Sequence, residues 1–162
     1  MTSKADFTEQ DWTRLGRAPL VAGMAISIAD PGGPIESLKE TSAALRTVVD
    51  AAENGTYGEL VRALAADVVA KARQRDNPLA GFAPKGAHAR DAILDELRAV
   101  SALLVEKTTP EELDQFREWV KAAAQSTALA AKEGGFLGFG GEMVSEREQQ
   151  MLDTLAEIFH AA

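Results

Sequence analysis

The sequence predicts an all-α fold, a compact bundle or array of six to seven helices in a single domain over residues 1–162. Three observations carry that expectation. Apolar residues recur at spacings of three and four, as one face of a helix requires. Helix-start signals punctuate the chain at intervals that suit short connections. No segment alternates apolar and polar residues as a half-buried strand would.

Thr8 with Asp11 caps the first helical stretch, EQDWTRLGRAPLVAGMAISIAD. Its second half, Ala18 to Ala29, is apolar or small on every side, which places it at the centre of the domain. Pro19 removes an internal hydrogen bond, so a kink or break is expected between Leu15 and Ala18. Arg17 borders this apolar stretch and must reach water or an acid; Asp67 and Asp30 are the candidate partners. Gly33 and Pro34 open the second helix, whose apolar stripe reads Ile35, Leu38, Ser42, Leu45 and Val49. Thr56 with Glu59 predicts a capping box for the third. The fourth, Ala87 to Lys107, carries Ile93, Leu97, Val100 and Leu104 on one face. Thr109, Pro110 and Glu112 combine a capping box with proline at the first helical position. The next stripe is Leu113, Phe116, Val120, Ala123 and Thr127. Ser145 with Glu148 starts the last helix. Between the third and fourth, DNPLAGFAPKG (Asp76 to Gly86) reads as a loop, with Leu79 and Phe82 turned down to anchor it.

A length of 162 residues suffices for a core without staples. There is no cysteine, which excludes disulfides, thiol catalysis and Cys-based zinc sites. Two histidines exclude a His-rich metal centre. A net charge of −8 disfavours nucleic acid and anionic lipid as partners. The longest uncharged run, APLVAGMAISIA, has 12 residues, too few for a transmembrane segment. The opening MTSKADFTEQDW lacks a basic start and an apolar run, so a cytoplasmic protein without a secretory signal is expected.

The chain holds two glycine-rich connections with related flanks. MAISIADPGGPIESLKE ends one small-residue helix with Asp30; STALAAKEGGFLGFGGEMVSEREQQML ends another with Glu133. Each then passes through paired glycines to an apolar residue and glutamates. This echo suggests a pseudo-duplicated helix–loop–helix unit around the buried helix. The stretches ADPGGPIESLKE and KEGGFLGFGGEMVSERE resemble the glycine-loop units of the tellurite-resistance TerB-like helical proteins. The second also resembles bacterial all-helical proteins that end in a GGFLGFGG segment. The TerB-like resemblance implies a small, pseudo-repeated helical domain linked to stress. It also implies a divalent-cation site made of acidic residues: Asp30, Glu36, Glu40, Glu133 and Glu146, with Glu142 and Glu148 nearby. Pro31, Pro34 and Glu133 depart from the family's pattern and weaken the case for that site.

GGFLGFGG admits several readings. A phosphate cradle is unsuited, because no Lys-Ser/Thr follows and Glu142 and Glu146 would repel phosphate. Phe136, Leu137 and Phe139 must be core, the wall of a ligand pocket, or a docking face. Gly135 and Gly138 would let backbone pass close by. No catalytic constellation is visible. His88, three residues before Asp91, suits a helix start better than a general base. Trp12, Tyr57 and Trp119 read as structural. The expected function is therefore a non-enzymatic helical interaction or regulatory module that docks a protein partner, a homodimer being one option. Binding of a small apolar ligand, either alone or as an enzyme that uses a group supplied by its substrate, is the alternative, since Met24, Met143 and Met151 suit an adaptable cavity. No cofactor is called for beyond that divalent cation.

Overall fold

A computed structural model of the chain describes residues 1–31, 34–132 and 144–160, except for the side chains of 34–38 and 131–132. Among these residues the fold is all-helical: α1 (Glu9–Ala29), α2 (Pro34–Glu53), α3 (Glu59–Arg73), α4 (Ala89–Lys107), α5 (Pro110–Lys132) and α6 (Glu146–His160). No strand occurs among them. Short 3-10 turns precede α1 and α4.

Helix α1 is the hub and touches each of the other five. Every residue from Ala18 to Gly23 is buried, as a helix apolar all round should be. It continues through Pro19 as one helix rather than two. Small side chains let neighbours come close. A Cβ built on Gly23 would lie 3.0 Å from both Ala44 Cβ and Thr127 Oγ1, so α1, α2 and α5 meet at a Gly–Ala–Thr crossing. Likewise, a Cβ on Gly16 would lie 3.0 Å from Val68 Cγ2 of α3.

Long-range hydrogen bonds set the directions. Gln115 accepts from Gly58 N–H at 2.8 Å and Thr47 bonds Ser126 at 3.3 Å, so α2 runs antiparallel to α5. Lys107 Nζ donates to Asp6 O and Arg17 reaches Glu96, so α4 runs antiparallel to α1. Arg147 approaches Asp30 at 3.9 Å, which brings the start of α6 to the end of α1.

Three predicted caps form. Thr8 Oγ1 accepts from Asp11 N–H at 3.1 Å. Thr109 and Glu112 exchange bonds of 3.0 and 3.3 Å, and Ser145 and Glu148 bonds of 2.8 and 3.2 Å. The predicted Thr56–Glu59 box does not form. Gly58 is the N-cap of α3 and Glu59 its first residue. The reason is tertiary: Gln115 binds Gly58 N–H, and a Cβ at position 58 would overlap the Gln115 amide. Similarly, α4 begins at Ala89 because Gly86–His88 form a 3-10 turn, with Gly86 at φ 71°.

The stripe predicted for α2 is rotated. Ser42, Leu45 and Val49 are half-buried, whereas Glu40, Ala44, Val48 and Ala51 are buried. Ala44 takes the inner face where α2 crosses Gly23, because the close approach there leaves room for little more than a methyl group; the same face carries a glutamate inward.

Glu112 also ties the chain's start to α5. It accepts from Thr2 N–H at 2.7 Å and Thr2 Oγ1 at 2.6 Å, in addition to Thr109. Burial raises its pKa, but these hydrogen bonds outweigh it and hold the carboxyl at about 2, against an ordinary 4.5. Between these values the unfolded chain takes up a proton that the folded chain does not, so stability falls as pH drops from 4.5 towards 2. In acid titrations followed by circular dichroism, Glu112→Gln is expected to be less stable than wild type at neutral pH. The gap should close below pH 4.5. A gap that stays constant with pH would refute this role.

Candidate functional site

The loop between α3 and α4 is held down by a charge cluster. Glu96 of α4, 9% exposed, accepts through Oε1 from Arg17 Nη2 at 2.6 Å, Arg17 Nε at 3.0 Å and Arg14 Nε at 3.2 Å. Arg17 Nη1 donates to Ala80 O at 3.2 Å, and its guanidinium lies 5.0 Å from the centre of the Phe82 ring. Leu79 and Phe82 pack against the core, as expected for anchors of this loop. The partner of Arg17 is thus neither Asp67 nor Asp30. Asp67 is taken by Lys4 at 2.9 Å and Lys71 at 3.1 Å, and Asp30 by Arg147. One glutamate can serve both arginines because Arg14 and Arg17 lie three apart on the same face of α1.

The anchored loop roofs one side of a cleft of about 370 Å³ between α1 and α2. Leu20 and Met24 of α1, Ala44 and Leu45 of α2, and Pro78 and Leu79 of the loop give it apolar walls. Ser27, Glu40, Thr41 and Asn77 supply the polar atoms. Its size lies within the range of small-molecule sites, about 300–1,000 Å³. Glu40 is 2% exposed, and among the described residues its Oε2 has no hydrogen-bond partner. A buried carboxylate oxygen without a donor is costly, so such atoms call for an explanation.

A second depression, of about 490 Å³, runs between α5 and α6 past Val120, Leu155 and Phe159. Charged residues of both signs, among them Asp114, Lys121 and Asp153, share its walls. A third, of about 320 Å³, lies on the other side of the loop beside Trp12 and Lys71.

Of the residues singled out from sequence, Phe136, Leu137, Phe139, Gly135, Gly138 and Met143 lie outside the described residues, as do Glu133 and Glu142. The side chain of Glu36 does too. Asp30 is paired with Arg147, Glu146 is exposed, and Glu148 is buried as the partner of Ser145. Among the described residues no three carboxylates or histidines converge on a point where they could hold a metal ion. His88 is exposed and its side chain makes no capping bond. Trp12 and Trp119 are buried, and Tyr57 is half-buried. Burial, with Glu118 nearby, raises the pKa of the Tyr57 phenol.

The carboxylate in the cleft was foreshadowed only as an acid of the first glycine loop. A signal for its inward position existed: Glu40, Ala44, Val48 and Ala51 keep a helical spacing, but an apolar count passes over the glutamate. Among the described residues, fold and cleft together define an all-α packing of six helices with a small-molecule-sized pocket against the central one. No protein-family model, no curated protein and no solved structure matches this chain.

Proposed function

We propose that this protein is a binding module for a small, largely apolar ligand, held in the cleft between α1, α2 and the loop after α3. The single observation that carries the reading is the cleft itself: apolar side chains from three separate segments converge around a few polar atoms. Met24 in the wall has an unbranched, adaptable side chain that can rotate to admit a guest. The loop wall rests on the Arg17–Glu96 cluster, so the pocket is built before any ligand arrives.

The neutral fluorophore N-phenyl-1-naphthylamine is a direct probe. It is expected to bind the folded protein saturably at one site. Ser27→Phe and, on the opposite wall, Thr41→Phe fill the cleft and should each weaken binding by about tenfold or more. Leu129→Ser, at a large apolar residue exposed on α5, should leave binding unchanged. Absence of saturable binding by wild type would overturn the reading. So would folded Ser27→Phe and Thr41→Phe variants that bind as wild type does.

A further inference from the structure

The chemistry of the cleft specifies more than an apolar guest. We infer that the ligand is an amphiphilic primary amine, bound as its ammonium ion, with its N–H group donating to Glu40 and its hydrocarbon body lying along Leu20, Met24, Leu45 and Leu79. This identity rests on the cleft being a ligand site.

Two independent observations meet here. The first is the apolar cleft. The second is that Glu40, a member of its wall, is 2% exposed and has an oxygen that meets no donor among the described residues. The described residues leave a hydrogen-bonding need in an apolar place. A neutral donor would satisfy geometry alone. An ammonium satisfies both geometry and charge, and charge-assisted bonds are roughly twice as strong as neutral ones. A carboxylate or phosphate ligand is disfavoured, because it would set like charge against Glu40 in a poorly solvated site. The rest of the wall fits a single cationic head and an aliphatic tail. Its other polar groups, Ser27, Thr41 and Asn77, are uncharged, and the Ser27 hydroxyl is engaged with Gly23 O at 3.2 Å. A net charge of −8 favours approach of a cation over an anion.

Four ligands with the same tail separate the possibilities: octylammonium, octyltrimethylammonium, octanol and octanoate. Titration calorimetry on the full chain at fixed ionic strength is expected to rank octylammonium first, by about ten- to a hundredfold over octanol. Octyltrimethylammonium carries the charge without an N–H donor and should fall well below octylammonium. Octanoate should bind weakest. In Glu40→Gln, checked for intact helical circular dichroism, the preference for octylammonium over octanol should vanish while octanol still binds. Retention of that preference in Glu40→Gln overturns the inference, as does equal binding of octylammonium and octanol to wild type. Equal binding of the two cations overturns it as well, since charge alone would then suffice. In each of these cases the apolar cleft stands. If none of the four ligands and no neutral fluorophore binds, the cleft reading falls together with the amine.

Discussion

Glu96→Ala is expected to lower the melting temperature by about 6–12 °C, corresponding to about 3 kcal/mol. Glu96 is 9% exposed and accepts three N–H groups from two arginines. Arg17 is itself only 11% exposed. Removing the acid leaves two guanidinium groups side by side, one of them poorly solvated, with repulsion added to lost hydrogen bonds. Replacing both partners is a different matter. Arg17→Met combined with Glu96→Leu removes the desolvation cost of both charges, and much of the lost stability should return. The double variant still lacks the bond from Arg17 to Ala80 O and the contact with Phe82. Its loop should therefore become a proteolysis site, and the cleft that Pro78 and Leu79 help to build should bind the neutral fluorophore more weakly. Stability and binding would then separate in one variant. A double variant as unstable as Glu96→Ala would show that the ion pair itself stabilises the fold.

Trp119→Ala should cost about 3–5 kcal/mol, equivalent to about 6–20 °C in melting temperature. The indole is fully buried and meets Phe116 edge-on, with ring centres 5.6 Å apart. Phe116 in turn lies 6.5 Å from Phe159, so the cavity would open where α5 faces α6. Among the described residues the indole N–H of Trp119 has no hydrogen-bond partner. Trp119→Phe consequently loses volume but no hydrogen bond, and its expected cost is about 1–2 kcal/mol. Urea denaturation of the two variants measures the difference directly. Equal costs would mean that the N–H group is satisfied in solution, contrary to the structure.

Four helix starts were legible because the signals there are local. A hydroxyl at Thr8, Thr109 or Ser145 and an acid three residues on lie within one turn, and Pro34 supplies its own backbone angle. The centrality of α1 was legible for a similar reason: a helix with no polar face has no way to meet water. Thr56 illustrates the limit. It offered the same local signal, yet Gln115, 57 residues away from Gly58, occupies the N–H group that decides the start of α3.

What the sequence determined by itself was the class of fold, most helix boundaries, the buried middle helix and an anchored loop after α3. Each follows from spacing or from chemistry within a few residues. Only the tertiary structure decided which acid meets Arg17, since Asp30, Asp67 and Glu96 all offer the same carboxylate and only packing brings one within reach. It also decided the rotation of α2. Close approach at Gly23 selects the alanine face of α2 for the interior, and helical geometry then carries Glu40 inward with Ala44, one turn away. The candidate site exists for that reason: a packing requirement between small residues put a carboxylate where apolar periodicity would have placed none.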